Sequence, residues 1–140
     1  MDFNIKALKQ KYGSYDPFEI CKKEDIPIEY QNIDYPQSDT TYLEGLPIIL
    51  LSYKLKETSE KYFVCAHELG HVLLHDGLQS YYILNHTTRS KTEREANLFA
   101  LNLCIELHNE DYGYYPRDFF ELYTEYGVSE DMMEYVKSKY

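Results

Sequence analysis

The sequence contains no tryptophan and few basic residues, and the shortage of basic residues limits the partners that the protein can bind. Its 140 residues include 24 acidic and 14 basic side chains, for a net charge of −10. A chain this acidic lacks the positive surface of a general nucleic-acid-binding protein, so we expect no direct contact with nucleic acid. The aromatic content comes mainly from 16 tyrosines, many of which we expect to be half-buried with hydrogen-bonded hydroxyls.

Long apolar runs and paired cysteines are also missing. The longest purely apolar run covers residues 47–51, which is far too short to span a bilayer. The N-terminal residues lack the apolar segment of a secretory signal. The spacing of Cys21, Cys65 and Cys104 fits neither a disulfide framework nor a zinc finger. These observations predict a cytoplasmic protein with reduced thiols and no membrane association.

The sequence does contain enough apolar material for one folded domain. Hydrophobic residues make up 44% of the chain, which argues against general disorder, and no repeat or linker divides it. We therefore expect residues 1–140 to form a single domain. The acidic excess is concentrated after residue 92. A solvated surface is the simplest explanation, and a docking surface for a basic partner is the alternative.

The apolar pattern of the first half predicts two short helices and a small sheet. The helices are expected at residues 3–12 and 17–23, the second with Asp16 as its N-cap. Strands are expected at residues 26–31, 41–43 and 47–52, with a turn at residues 44–45. Residues 34–40 are polar and contain Pro36, so they are predicted to form a loop.

The second half is predicted to be helical. Helices are expected at residues 57–75, from 91 or 92 to 108, at 116–126, and from a Ser129 cap to the C-terminus. Residues 78–90 and 109–115 are predicted to be irregular. Two helices, a small sheet and then more helices are typical of an α+β fold rather than an alternating α/β fold.

One segment carries a chemical signature, the sequence His-Glu-Leu-Gly-His at residues 67–71. Chance alone gives about 0.02 occurrences of this HExxH pattern in a chain of this composition. On a helix, His67 and His71 lie on one face, one turn apart, so both imidazoles can reach one metal ion. Glu68 is then placed to contact a metal-bound water and take its proton. A pair of surface histidines with a solvated glutamate is the structural alternative.

A catalytic zinc also needs a third protein ligand, and the next helix offers two glutamates. Glu93 shares a face with Asn97 and the small Ala100, so Glu93 could be the ligand and Asn97 could orient a ligand histidine. However, Ser90 and Glu93, like Thr92 and Glu95, have the spacing of a capping box, so either glutamate could cap the helix instead. Spacing alone favours Glu93 over Glu95 only slightly.

These two motifs resemble the ImmA/IrrE family of zinc metallopeptidases. The similarity is carried by YFVCAHELGHVLLH at residues 62–75 and by EREANLFA at residues 93–100. The resemblance implies a zincin-like domain of the gluzincin type, with a small N-terminal sheet and a helical core that carries HExxH. It also implies Glu68 as general base and one Zn²⁺ per chain, bound by His67, His71 and Glu93. Because the ligand glutamate of that family lies four residues before its Asn or Asp, the resemblance selects Glu93 over Glu95.

The implied function is a zinc-dependent endopeptidase that cleaves a regulatory protein. The family resemblance implies a DNA-binding repressor as the substrate and a minimal, phage- or mobile-element-type protein. The alternative is a zinc-containing anti-repressor or interaction module without turnover. A metal-free structural protein is the weakest interpretation.

Other candidate residues are assigned structural roles. We expect His75 and His108 to cap helix ends, and Cys65 and Cys104 to pack in the core. His86, Tyr81 and Tyr82 lie between the two motifs and could stabilise the tetrahedral intermediate, although a surface loop position is the simpler explanation for His86. The sequence does not choose among those three.

Overall fold

The computed structural model describes residues 4–75 and 86–139, with only the backbone for residues 86–89 and 139. It begins with two short helices, α1 (Ala7–Tyr12) and α2 (Pro17–Lys23). The prediction for α2 is confirmed, because the Asp16 carboxylate accepts the Phe18 backbone N–H at 2.9 Å. Helix α1 begins later than predicted, since no side chain caps its N-terminus. Gly13 ends α1 in the left-handed conformation, with φ +77°.

Three strands form a mixed sheet in the order β1-β3-β2. The strands are β1 (Ile28–Gln31), β2 (Ser38–Leu43) and β3 (Leu46–Ser52). Strand β3 lies in the centre, parallel to β1 and antiparallel to β2. Glu44 and Gly45 both have positive φ, 53° and 83°, as the tight turn between β2 and β3 requires. The predicted hairpin is therefore confirmed.

Strand β2 begins earlier than predicted, and residues 38–40 are not loop. Ser38 pairs with Leu51 and Thr40 with Ile49. The burial of β2 alternates. Asp39 and Thr41 are exposed, as the solvated face of an antiparallel pair allows, whereas Ser38 and Thr40 lie on the inward face.

Two long helices form the centre of the fold, α3 (Glu60–His75) and α4 (His86–Tyr112). Helix α3 begins three residues after the predicted start. Helix α4 is longer than predicted at both ends. The prediction of irregular structure at residues 86–90 and 109–112 is therefore wrong, because these residues are helical. The capping signals at Ser90 and Thr92 lie inside α4, and the helix ends at Gly113, whose N–H bonds the Asn109 carbonyl at 2.8 Å. The rest of the segment predicted to be irregular, residues 78–85, lies outside the described residues.

The C-terminal region adds α5 (Phe119–Tyr126) and α6 (Met133–Lys139). Helix α5 begins at Phe119 and not at Pro116, because the Asp118 carboxylate accepts the Glu121 N–H and caps the helix there. Gly127 ends α5 as predicted, with φ +67°. Ser129 caps a short 3-10 turn (Glu130–Met132) that precedes α6, so the last α-helix begins later than predicted.

The core lies where α3 and α4 pack against each other, the sheet and the shorter helices. Fully buried side chains from all of these elements meet there, including Ile20, Ile49, Leu69, Phe99 and Leu122. Cys65 and Cys104 are free and completely buried, which confirms their predicted core role. Among the described residues, no helix is both long and apolar enough to cross a membrane. The mixed α+β architecture with a small sheet and a helical core agrees with the prediction.

Candidate metal centre

Helix α3 presents the first two members of a cluster of side chains that could hold a metal ion. His67 and His71 are one helical turn apart, and their rings meet edge to face with centroids 4.7 Å apart. Leu69 and Phe63, on other positions of the same helix, are buried in the core. Because the core contacts fix the rotation of α3, both histidines face α4.

Helix α4 supplies the third member, Glu93. Its two carboxylate oxygens lie 3.1 Å from His67 Nε2 and 2.9 Å from His71 Nε2. Possible ligand atoms of these three residues all lie within 4.8 Å of one another. Two donors bound to one tetrahedral zinc at about 2.0–2.1 Å would be roughly 3.3 Å apart. The donor types and spacing therefore fit a metal ion of the zinc class.

The cluster is open on one side. The side chain of His71 is 9% exposed and that of His67 15%, whereas that of Glu93 is 48% exposed. A structural zinc site is normally closed by four protein ligands, whereas a catalytic site keeps a position open for water or substrate. Three protein donors with a solvent-facing carboxylate match the second arrangement.

The three groups change one another's protonation in the metal-free protein. Burial lowers the pKa of His67, but the hydrogen bond to Glu93 and the charge of Glu68 outweigh it, so the pKa lies above the ordinary 6.5. Burial raises the pKa of Glu93, but hydrogen bonds from His67 and His71 outweigh that effect and hold the pKa well below the ordinary 4.5. The contact therefore stabilises both the ionised form of Glu93 and the protonated form of His67.

Glu68 points to the sheet and is held there by two hydroxyl groups. Ser38 Oγ donates to Oε2 of Glu68 and Thr40 Oγ1 donates to Oε1, each at 2.6 Å. The glutamate is 6% exposed, so these donors satisfy a carboxylate that burial would otherwise destabilise. The sequence analysis missed both hydroxyls because it assigned residues 34–40 to a loop. The alternation of Ser38, Thr40 and Tyr42 was the signal that could have identified them.

A second histidine-glutamate contact lies beside the cluster. His75 Nδ1 is 3.2 Å from His71 Nδ1, and His75 Nε2 is 3.0 Å from Glu95 Oε1. Burial is the main reason that the pKa of His75 lies below the ordinary value. Glu95 therefore does not cap α4, which begins at His86, and the role predicted for His75 at the helix end is replaced by these two contacts.

The remaining candidates occupy different surroundings. Asn97 is close enough to the His67 side chain to contribute to its raised pKa. His108 does not end a helix as predicted, because α4 continues to Tyr112. It is buried, with Nδ1 2.9 Å from the Tyr114 carbonyl oxygen. His86 is the first residue of α4, and its side chain, like Tyr81 and Tyr82, lies outside the described part of the chain.

Comparisons with known proteins match most of the chain. A model of the Peptidase_M78 family, described as an IrrE N-terminal-like domain, matches residues 21–136. The chain is 30% identical over 104 residues to "Uncharacterized immunity region protein 2" of Bacillus phage phi105, covering 72% of this chain and 65% of that protein. It is 25% identical over 103 residues to "Metallopeptidase ImmA" of Bacillus subtilis (strain 168), covering 72% of this chain and 60% of that protein.

The chain thus spans less than two thirds of the length of either relative. No solved structure matches it. The family match includes α3, α4 and the sheet, and so contains the whole cluster of His67, His71 and Glu93 together with Glu68 and its two hydroxyl partners.

Proposed function

The chain belongs to the Peptidase_M78 family of IrrE N-terminal-like domains, and from this premise we propose that it is a zinc-dependent endopeptidase acting on a regulatory protein. The observation that carries the proposal is the meeting of His67, His71 and Glu93 in a site that remains open to solvent. Their ligand roles, and a zincin-like fold of one domain around them, are part of the proposal.

A zinc ion held by these three side chains would act as a Lewis acid and lower the pKa of a bound water. The protein's own contribution is Glu68, which follows His67 directly on α3. In peptide hydrolysis, a Glu68 carboxylate oxygen takes a proton from the attacking water as the water oxygen bonds to the scissile carbonyl carbon. The same oxygen then gives that proton to the amide nitrogen as the carbon–nitrogen bond breaks.

Ser38 and Thr40 support this role by fixing the orientation of Glu68. A general base must lie within hydrogen-bonding distance of the proton that it takes, and a buried carboxylate with two 2.6 Å hydroxyl donors has little freedom to rotate. Asn97, which contributes to the raised pKa of His67, would hold the ring of that ligand in a similar way.

We further propose that the substrate is a DNA-binding repressor of a phage or mobile element. One relative is described as a phage immunity region protein, which supports a regulatory setting of this kind. A DNA-binding protein carries positive surface, and this chain carries a net charge of −10, so their approach is electrostatically favourable. Such an encounter takes place in the cytoplasm and requires neither direct nucleic-acid binding nor a membrane.

The decisive experiment compares Glu68→Gln with the wild type in two measurements. Elemental analysis should give about one zinc per chain in both proteins, because Glu68 is not a ligand in this proposal. Incubation with a proteome-derived peptide library, read by mass spectrometry, should give defined cleavages with the wild type and at least 100-fold slower cleavage with the variant. Glu57→Gln, which changes an exposed glutamate before α3, is the matched control and should cleave normally.

The same experiment separates the proposal from its alternatives. Cleavage by Glu68→Gln at the wild-type rate would contradict the role of Glu68. The interaction module would be favoured if the zinc-loaded wild type cleaves neither the library nor purified phage repressors. In that case the wild type and Glu68→Gln should bind a repressor equally well. Zinc content that is unchanged in His67→Ala and Glu93→Ala would show that the ligands are elsewhere.

A further inference from the structure

His75 lies outside the three proposed ligands, yet it is joined to them by a continuous line of hydrogen-bonding atoms. The line runs from His71 Nε2, which faces Glu93, through the His71 ring to Nδ1, then to His75 Nδ1 at 3.2 Å. It continues through the His75 ring to Nε2 and ends at Glu95 Oε1 at 3.0 Å. Taken as whole residues, His71 and His75 are 7% and 5% exposed, so these contacts are largely shielded from water.

Proton positions along this line follow from the chemistry of imidazole. A histidine that binds a metal through Nε2 can carry its ring proton only on Nδ1. The Nδ1 of His71 then donates to the Nδ1 of His75, which must be the unprotonated nitrogen of that ring. The proton of His75 is therefore on Nε2, from which it is donated to the Glu95 carboxylate. Each donor in the line meets an acceptor, and each ring is fixed in one tautomer.

We propose that His75 and Glu95 are positioning residues for the metal site, which hold His71 in its metal-binding tautomer and increase its strength as a ligand. This inference rests on the proposed zinc site and adds two residues to it. Glu95 acts through His75, to which it is hydrogen-bonded, and His75 acts through its contact with the ligand His71. Metal-bound histidines commonly need such a partner on their second nitrogen.

The pairing also explains why α4 carries two glutamates close together. Glu93 faces His67 and His71, and Glu95 faces His75, the third histidine of the row along α3. The side chain of Glu95 is 23% exposed, about half the value for Glu93. A partly shielded carboxylate that is hydrogen-bonded to a buried imidazole is suited to orienting that ring.

Zinc affinity tests this proposal without a known substrate. Purified variants are titrated with zinc against a competing chromophoric chelator. Glu95→Ala and His75→Phe should each weaken zinc binding by about 10- to 100-fold, because the first removes the carboxylate and the second keeps a ring of similar size without its nitrogens. Glu95→Gln should weaken binding less than Glu95→Ala, since the amide oxygen can still accept from His75 Nε2.

The matched control is Glu106→Ala, which removes the same charge from the same helix. Glu106 bonds to the Tyr115 hydroxyl and lies about 16 Å further along α4, so zinc affinity should stay within about twofold of the wild type. Urea unfolding in excess chelator reports the stability of each metal-free variant. A purely structural role would change that stability without a matching change in zinc affinity.

A double-mutant cycle tests whether Glu95 acts through His75. In the His75→Phe background, Glu95→Ala should cost little or no additional zinc affinity, because the connection to His71 is already broken. Long-range nitrogen-proton NMR of the zinc-loaded wild type should show His71 protonated at Nδ1 and His75 protonated at Nε2. These tautomers are a readout that packing alone would not produce.

Two results would overturn the inference. In the first, Glu95→Ala and His75→Phe both bind zinc as tightly as the wild type, whereas His71→Ala loses zinc. This result would support the ligand role of His71 and contradict the positioning role of Glu95 and His75. The other is full additivity in the cycle, which would separate Glu95 from His75. Failure of the proposed function has a different signature, namely a wild type that binds no zinc or a Glu68→Gln variant that still cleaves.

Discussion

Glu93 accepts hydrogen bonds from two histidines, and this contact controls how the metal-free site responds to pH. The pKa of Glu93 is lower in the folded protein, so its stabilising contribution is present above the ordinary 4.5 and is lost as the pH falls. The pKa of His67 is higher in the folded protein, so its contribution is complete below the ordinary 6.5 and is lost as the pH rises through the raised pKa. Both contributions coexist between about pH 4.5 and 6.5.

Glu93→Gln should therefore destabilise the metal-free protein more at about pH 5.5 than at about pH 8.5. At the lower pH a protonated His67 loses its charged partner, whereas at the higher pH less of the histidine is protonated, so less of the charge-assisted contact remains to be lost. Urea midpoints measured in excess chelator at the two pH values provide the test. Glu106→Gln should shift the midpoint equally at both, and an equal shift for Glu93→Gln would contradict the ion pair.

Among individual residues, the sequence predicted correctly those whose relative positions are set by helical spacing. His67, Glu68 and His71 belong to one short motif, so their arrangement follows from the helix itself. The choice between Glu93 and Glu95 depends on the rotation of α4 against α3, which spacing left nearly open. The hydroxyls of Ser38 and Thr40 reach Glu68 only after β2 packs on α3, and a residue-by-residue pattern does not contain that contact.

The contact between α3 and α4 depends on a small residue in each helix. A Cβ atom added to Gly70 would lie 2.9 Å from Phe99 Cδ1 and 3.3 Å from the backbone Cα of Ala96. Phe99 is fully buried, and the Ala96 atom in question belongs to the backbone of α4, so neither can move away easily. The small size of Gly70 and Ala96 allows this close approach, and the approach brings Glu93 to the two histidines.

Gly70→Ala should therefore destabilise the protein by about 1–3 kcal/mol through overpacking, although alanine is the better helix former by about 1 kcal/mol. It should also weaken zinc binding, because it separates α3 from α4 next to the site. Urea unfolding in chelator and zinc competition measure the two effects. Phe99→Leu as a second change should recover part of the loss, and a more stable Gly70→Ala protein would show that the helices are not tightly packed here.

The elements were easier to predict than their limits. The order of helices and strands follows from apolar periodicity and from caps such as Asp16 and Gly127, which act locally. The limits of α4 were wrong because Ser90 and Thr92 are capping residues by type, yet Thr92 is 3% exposed within a helix that continues on both sides. The start of β2 was missed because its pairing with β3 is a long-range contact that outweighs weak strand propensity.

For the whole molecule, the proposed metal site lies at the junction of its largest elements. Helix α3 packs against α4, α2, α5 and both neighbouring strands β2 and β3. A ligand that joins α3 to α4 in the native state alone therefore stabilises the global fold rather than a peripheral segment. This separates the proposed protein from a metal-free structural protein, whose stability would not depend on metal at all.

Removing the metal should lower the melting temperature of the wild type by about 9 °C relative to protein with free zinc at 100 times its dissociation constant. The linkage relation gives about 2.7 kcal/mol at that concentration, and the unfolding entropy of a chain of this length is about 0.3 kcal/mol per degree. Calorimetry with zinc and with excess chelator measures the difference. Glu93→Ala should show a much smaller difference because it lacks one proposed ligand, whereas Glu106→Ala should respond as the wild type does. An identical melting temperature with zinc and with chelator in the wild type would exclude a native-state zinc site and with it the proposed peptidase.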